Sequence, residues 1–398
     1  MSVNRPQLAA IVTTYFKYSH AQHIVDRFLY GYGWKGTHHR PAMDLVSLYV
    51  DQVGKNDLSH SRGQQFPSMR IYPTIAEALT LGGSKLAVDG VVVVGEHGNY
   101  PRNEKGQTQY PRWEFFQKII EVFKDSGRTV PVFNDKHLSW NWEWAKQMVA
   151  AAHEMGFAFM AGSSLPVTWR IPSVEMPLGS RIREALCVGY GRMDSYDFHA
   201  LETIQCMVER RTGGETGVKW LQAYQGDKVW DALREGRWSR RLMDAALCRS
   251  HTLTPGRQSF NDVFPSDDDL RRLDADPIAY QYQHQDGPVC TMILCNGLVR
   301  DFNFAAEVDG RREPFSTQMY LSMPDGRTTL ADFFSPLVNN MEKMFLTGKP
   351  SYPVARTLLT TGLVAAGVES LYRQQQRYET PHLAITYQPI RESTFERA

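Results

Sequence analysis

The 398-residue chain has almost no net charge, with 44 lysines and arginines against 43 aspartates and glutamates. Such a balance supplies no field to gather nucleic acid or an anionic lipid surface, so neither is expected as a partner. It has no C-x-x-C pair either. Its five cysteines, Cys187, Cys206, Cys248, Cys290 and Cys295, are odd in number and scattered, which fits a reduced, cytoplasmic chain. The opening MSVNRPQLAA lacks the basic and apolar pattern of a leader, and no apolar run approaches a membrane span. Repeats and low-complexity tracts are missing. What is present is 42% hydrophobic and 22% charged residues, the mixture of an ordinary globular protein. The chain is longer than one core usually serves, so two domains are expected, 1–165 and 166–398.

The stretch Val130 to Ala161, VPVFNDKHLSWNWEWAKQMVAAAHEMGFAFMA, reads as strand, polar turn, helix and strand. Ser139 or Asn141 can cap the helix, because a short side-chain oxygen accepts from the free N–H groups of a first turn. Ala145, Met148, Val149, Ala152 and Met155 repeat at helical spacing, and Gly156 stops the helix. Ligands of open parallel sheets bind beyond the carboxyl ends of the strands. Lys136 and His137 lie at such an end.

Upstream, Leu8–Val12, Leu45–Val50, Met69–Tyr72 and Val91–Val94 read as strands, alternating with helices from Ser19 or His20 to Tyr30, from Thr74 through Leu81, and from Trp113 to Phe123. Thr74-Ile75-Ala76-Glu77 has the form of a capping box. Gly31 to Pro41 reads as a surface loop. Strand and helix in alternation mean a parallel α/β sheet. After Pro166 the pattern changes. Ala185–Tyr190 is a strand, Tyr196–Arg210 a helix, and Val229–Leu247 one long helix. Ile278–His284, Val289–Leu294, Asp301–Val308 and Thr317–Ser322 are separated by Asp286-Gly287, Asn296-Gly297 and Asp309-Gly310, dipeptides that favour hairpin turns, so an antiparallel meander is expected. Helices Pro336–Leu346, capped by Ser335, and Ala355–Tyr372 follow, then a strand near Leu383–Tyr387.

The turn after the first strand is Thr13-Thr14-Tyr15-Phe16-Lys17-Tyr18, where a dinucleotide-binding G-x-G-x-x-G would stand; all three glycines are missing. The helix that follows still offers its N-terminus to an anion. Asp51 ends the second strand, where an acidic residue can bind a ribose diol or be an ordinary strand-end carboxylate. Lys136 is either a solvated loop lysine or, desolvated at a strand end, a proton relay. His199 and Glu202 share a helix face, with Asp194 and Asp197 close in sequence; carboxylates set the tautomer of a histidine, although helical histidines are commonly structural. Glu96 and His97, with His137 and His199, raise a metal as an alternative, in a spacing that matches no zinc signature. Trp169-Arg170 combines a stacking ring with a carboxylate- or phosphate-binding guanidinium, or is a packing pair.

With these pieces in place, the chain resembles the glucose–fructose oxidoreductase/inositol dehydrogenase/MocA (Gfo/Idh/MocA) family over nearly its whole length. Asp135-Lys136-His137 stands where that family has Glu-Lys-Pro, and Ser195-Tyr196-Asp197-Phe198-His199-Ala200-Leu201-Glu202 lies over its Asp-x-Gly-x-His-x-x-Asp motif. Glu96-His97-Gly98-Asn99-Tyr100-Pro101 is loosely similar to its Pro-Asn-x-x-His loop, and Gly348-Lys349-Pro350, Ala355 and Ser370 are similar to its closing pattern. The resemblance implies an N-terminal Rossmann-like parallel sheet and a C-terminal α+β domain with an open, mainly antiparallel sheet. It implies an NAD(P)-dependent oxidoreductase acting on a hydroxyl or carbonyl group of a sugar, polyol or related small molecule. Lys136 and His199 would handle protons, with Asp194 or Asp197 orienting His199. Thr13, Thr14, Tyr15, Asp51, Glu96, His97 and Asp135 would line the NAD or NADP, and Trp169, Arg170, Tyr196 and Glu202 the substrate. Two alternatives stand beside it: a non-redox lyase, hydrolase or isomerase working by metal or acid and base, and a non-catalytic ligand-binding relative. An apolar second face on the sheet of Ile278–Ser322 would need a cover, so a homo-oligomer is expected.

Overall fold

The computed structural model describes residues 5–253, 262–323 and 331–397. The chain divides into two compact units, one of 1–103, 108–164 and 322–354, the other of 104–107, 165–321 and 355–398. This differs from a single crossing at 165/166, because 322–354 rejoins the first unit.

The first unit runs β1 (Gln7–Val12), α1 (His20–Tyr30), β2 (Tyr32–Trp34), β3 (Thr37–His39), β4 (Asp44–Val50), α2 (Ser59–Gln65), β5 (Arg70–Ile71), α3 (Ile75–Thr80), β6 (Gly90–Val94), α4 (Arg112–Ser126), β7 (Val132–Asp135), α5 (Trp142–Glu154) and β8 (Phe159–Gly162). Six strands form one parallel sheet in the order β5-β4-β1-β6-β7-β8. The unbroken apolar run of β6 is buried throughout, as expected for a strand covered on both faces. Asn141 caps α5, its Oδ1 accepting from the amides of Glu143 (2.9 Å) and Trp144 (3.2 Å). The Thr74 hydroxyl accepts from the Glu77 amide at 3.1 Å, but donates to the Glu77 carboxylate, so the reciprocal half of the box is not made. The segment 31–41, expected to be a plain loop, holds the β2–β3 hairpin. Gly31 makes it possible: its φ is +79°, and a Cβ there would collide with the His39 carbonyl.

The second unit contains β9 (Arg170–Ile171), β10 (Ile182–Gly189), α6 (Tyr196–Val208), β11 (Val218–Gln225), α7 (Asp227–Arg234), α8 (Arg240–Leu247), α9 (Asp267–Leu273), β12 (Ile278–His284), β13 (Val289–Leu294), β14 (Phe302–Val308) and β15 (Phe315–Met319). The chain then gives α10 (Ser335–Thr347) to the first unit and closes with α11 (Val354–Tyr372) and β16 (Tyr378–Glu379). The eight-stranded sheet has the order β16-β11-β12-β13-β10-β14-β15-β9.

Four expectations are corrected here. The meander is broken in its middle, where β10 lies between β13 and β14, parallel to the first and antiparallel to the second. Ala185–Gly189 is completely buried and belongs at a sheet centre. Asn296 does not turn a hairpin; its side chain accepts from the Gly191 amide (2.8 Å) and donates to the Gly191 carbonyl (3.1 Å). The long helix over Val229–Leu247 is two helices, broken at Gly236 (φ +73°) and restarted by a Ser239 cap. Ser335 is the first residue of α10 instead of its cap, and its hydroxyl accepts from Arg27 at 3.1 Å. The last strand is Tyr378–Glu379, and Tyr387 contributes only an isolated bridge to Glu215.

Among the described residues both faces of the central strands of the eight-stranded sheet are covered. α6 covers one side of β10, β13 and β14. On the other side Leu186, Val188, Ala279, Ile293 and Ala305 pack in one buried cluster with Trp230, Trp238, Leu242, Met243, Leu247 and Leu270 of 227–273. The apolar face that was to demand a second copy is closed by the same chain.

Candidate active site

Because β6 and β7 are neighbours, the residues just beyond their carboxyl ends meet. Glu96 follows β6, and Lys136 follows β7. Lys136 Nζ lies 3.6 Å from Glu96 Oε1, and Arg112, the first residue of α4, donates from Nη2 to Glu96 Oε2 at 3.0 Å. Arg112 Nη1 lies 3.0 Å from His137 Nε2. A guanidinium can only donate, so Nε2 accepts and a neutral His137 carries its proton on Nδ1. All four side chains are buried. Gly95 leaves the room for this, since a Cβ there would stand 2.5 Å from Arg112 Cγ.

The charges explain the protonation states. Burial alone would raise the Glu96 carboxyl, but Lys136 and then Arg112 outweigh it and hold it far below the usual range. His137 is pushed well below the ordinary imidazole value, first by burial and then by Arg112. Burial also lowers His97 to about 4, against the opposing pull of Glu96. The backbone is strained at the same place: Lys136 (φ +66°) and His97 (φ +67°) both sit in the left-handed region, where non-glycine residues are rare. The Lys136 amide is tied to the Gly162 carbonyl at 3.2 Å. Buried Asn134 Oδ1 and His97 Nε2 have no hydrogen-bond partner.

Asp135, the last residue of β7, holds His20 Nδ1 at 2.7 Å from its Oδ2. Neither His20 nor Arg112 belongs to a sequence motif. The signal that could have raised Arg112 is its place in the first turn of a helix that starts at the carboxyl edge of a parallel sheet.

In the β1–α1 turn, Thr13 Oγ1 donates to the Glu96 carbonyl at 2.6 Å, which fixes the height of Glu96. Tyr15 is turned inward: its hydroxyl lies 2.5 Å from Asp26 Oδ1, and Arg62 holds Asp26 with two bonds of 2.8 Å. Its ring is buried and does not obstruct the turn. The turn amides are partly occupied by the chain's own acceptors, Phe16 N–H by Ser19 Oγ (3.2 Å) and Tyr18 N–H by Gln22 Oε1 (2.5 Å). Asp51 is exposed at the end of β4 and accepts from Tyr49 and Tyr100, each at 2.7 Å. Buried Thr14 Oγ1 has no partner. An exposed carboxylate beyond β4 and an unpartnered hydroxyl beyond β1 fit the ribose and polar groups of a dinucleotide; self-bonded turn amides leave little for its pyrophosphate.

The second unit places Asp194, Tyr196, Asp197 and His199 together at the head of α6. His199 is buried among the rings of Tyr196 (5.8 Å), Phe198 (6.0 Å) and Phe302 (6.1 Å). Asp197 accepts from the amides of Asp194, Ser195 and Phe198 and from the Tyr280 hydroxyl, which makes it the anchor of the α6 start. Its carboxyl is raised by burial against those bonds. Glu202 is fully buried and accepts from Thr360 at 2.7 Å. Arg170 is buried against the Phe395 ring (4.0 Å) and donates to the carbonyls of Val174 and Pro166. Trp169 packs edge-on against Tyr320. Glu202, Arg170 and Trp169 each thus have bonding or packing partners within the second unit. Among the described residues no group of three or more His, Cys, Asp and Glu is arranged to hold a metal ion.

No family model matches the sequence, and no curated protein matches it. Solved structures do match its shape. GenD2 from gentamicin A biosynthesis, in complex with NAD, superposes with a TM-score of 0.57 at 13% identity, over 95% of this chain and 97% of that one. The myo-inositol dehydrogenase of Lactobacillus casei, in complex with NAD(H) and myo-inositol, gives 0.54 at 11% identity, over 94% and 96%. A Gfo/Idh/MocA family oxidoreductase from Vibrio cholerae gives 0.50 at 12% identity, over 93% and 99%. The expected Rossmann-like parallel sheet followed by an α+β domain with a mainly antiparallel sheet is thus the architecture found, with β10–β13 as a parallel pair in the second sheet, and the chain has the fold of the Gfo/Idh/MocA oxidoreductases.

Proposed function

We propose that the protein is an NAD(P)-dependent oxidoreductase acting on a hydroxyl or carbonyl group of a small molecule of the sugar or polyol class. The observation that carries this reading is the buried Glu96–Lys136 pair at the carboxyl ends of β6 and β7, in a fold whose similar structures include NAD-bound GenD2 and a myo-inositol dehydrogenase bound to NAD(H). A nicotinamide dinucleotide, when bound, supplies hydride acceptance or donation at the substrate carbon. Asp51 and Thr14 are the residues that would hold it. Lys136 donates a hydrogen bond to the substrate oxygen and handles its proton. Glu96 fixes the ammonium, and Arg112 fixes Glu96. His199 is the second unit's candidate for proton handling, as the resemblance implies.

The substrate class draws support from the inositol bound by one similar structure. A non-redox acid/base reading would use the same lysine, but no metal-ligand cluster among the described residues favours its metal-dependent form. The test is a screen of sugars, polyols and their keto forms with NAD, NADH, NADP and NADPH, followed by absorbance of the reduced nicotinamide, with calorimetry for binding. Turnover of one such pair is the expected result. Absence of both turnover and binding for all four cofactors overturns the reading.

A further inference from the structure

We propose that His20, held by Asp135, is a second proton-handling group of the first unit's site. The inference rests on the dehydrogenase reading above and adds to it a residue outside the sequence motifs. Asp135 and Lys136 are consecutive, yet they serve different partners. The lysine turns toward Glu96, while the aspartate takes His20 Nδ1 at 2.7 Å. The aspartate side chain is 1% exposed and the histidine side chain 16% exposed. A buried carboxylate therefore fixes the ring from behind, while the imidazole keeps access to solvent. This is the arrangement in which a carboxylate sets the tautomer and stabilises the imidazolium that forms when the ring takes a proton.

The ring's plane is also held. Phe334 packs edge-on at 5.0 Å and the His97 ring lies at 5.9 Å. His20 is the first residue of α1, directly after the Ser19 cap, so the helix sets the position of its backbone. Among the charged and titratable groups around it are Asp135, Glu96, His97 and His23. His97 is held neutral down to about pH 4 and His23 to about 3, chiefly by burial, so neither competes for a proton near neutrality.

The step balances without a further reactant. A nicotinamide dinucleotide, when bound, would supply hydride acceptance at the substrate carbon, which leaves the hydroxyl proton to the protein's own groups. Lys136 would donate to the oxygen and take part in moving its proton, and His20 would receive that proton as the carbonyl forms; reduction would run the same transfers backwards. The competing account is purely structural, an ion pair that fastens α1 to β7.

Three measurements on the full chain separate the two. In His20→Ala, kcat should fall about 100-fold with KM changed less than about threefold, the usual loss for a general acid–base group. Added imidazole should restore at least a tenfold part of it, which a lost fastening cannot show. Asp135→Asn should lower kcat about as much without imidazole rescue, and the double variant should be little worse than either single one. A His20→Ala kcat within twofold of wild type overturns the proposal, as does a loss that imidazole leaves untouched. Calorimetry with NADH should give the same affinity for His20→Ala as for wild type; a tenfold weakening would make His20 a cofactor ligand and overturn the proton role. If wild type neither turns over a substrate nor binds any of the four cofactors, the dehydrogenase reading fails, and nitrogen NMR of the imidazole tests the pair alone. The His20 signals should move in Asp135→Asn, and unchanged signals overturn the pair.

Discussion

Each unit buries a cluster of charges, and the two clusters are built differently. In the second unit Glu215 accepts from His284 (2.9 Å), from the Gly217 amide (2.8 Å), from Gln205 (2.6 Å) and from Arg211 (3.0 Å). Arg211 also grips Asp286 at 2.8 Å, and Arg356 grips Glu209 at 2.8 Å with Tyr387 as a further donor. Where that cluster needs a left-handed residue it uses glycine, Gly217 at φ +91°. The first unit's cluster gives Glu96 two cations and puts Lys136 and His97 themselves in the left-handed region, while buried atoms without a partner occur in both clusters, His97 Nε2 and Asn134 Oδ1 in the first, His284 Nε2 and Gln205 Oε1 in the second. A densely bonded cluster on relaxed backbone fastens a fold. In the first unit the backbone is strained at the cluster itself, and the sheet around it sustains that strain.

The comparison breaks most sharply on removal of one cation from each side. Arg356→Met should destabilise the protein by about 3–5 kcal/mol, because it leaves the Glu209 carboxylate buried with its charge uncompensated. Urea denaturation would read this as a lower midpoint at unchanged slope. Loss of less than about 1 kcal/mol would mean the second cluster does not fasten anything. Lys136→Met should instead leave stability within about 1 kcal/mol of wild type, since Glu96 keeps Arg112, while turnover falls about 100-fold. His199→Asn should show a similar split between stability and rate. Near-normal turnover in both folded variants would remove them as proton-handling groups.

Acid should separate the units in sequence. His97 and His23 have folded values near 4 and 3, below the 6.5 of an unfolded histidine. Between those limits the unfolded chain binds more protons, so their contribution is present above pH 6.5 and is lost as pH falls through 6.5 toward 4. Glu215 is also depressed: burial would raise it, but His284 and Arg211 outweigh that, so its contribution is lost only as pH falls below the ordinary carboxylate range. Hydrogen exchange from pH 7 to 4.5 should therefore show the first unit loosening by about 1–3 kcal/mol while the second holds. Equal loosening of both would erase the distinction. The smallest effect concerns the turn after β1. Gln22→Ala frees the Tyr18 amide and should tighten NADH about threefold to tenfold, the net worth of one ordinary hydrogen bond. Calorimetry that shows unchanged or weaker binding would mean that amide does not face the ligand.

The sequence displayed those features whose cause is local. Strands of unbroken valine, the Asn141 cap and the Asp286-Gly287 and Asp309-Gly310 hairpins are all decided within a few residues. The insertion of β10 between β13 and β14 is decided by pairing across about 100 residues, and no dipeptide reports it. Nor was β11 visible, because VKWLQAYQ alternates weakly and is held by its neighbours. At the candidate site, Lys136 and Glu96 were legible from strand ends. Arg112 and His20 were not, because their meaning depends on which strands are adjacent. Arg170 and Glu202 stand out in the sequence as charged groups among apolar neighbours, and such groups must find buried partners, which each has done.

The eight-stranded sheet ends in β16 on one side and β9 on the other, each only two residues long. A foreign strand that docked at either border would find a ladder of one or two bonds, too few to offset the ordering it requires. The long central strands, rich in residues that readily form cross-β stacks, are thereby kept from templating other chains. In concentrated solution this unit should resist fibril growth, and lengthening β9 by converting Pro172 to valine should be enough to weaken that resistance.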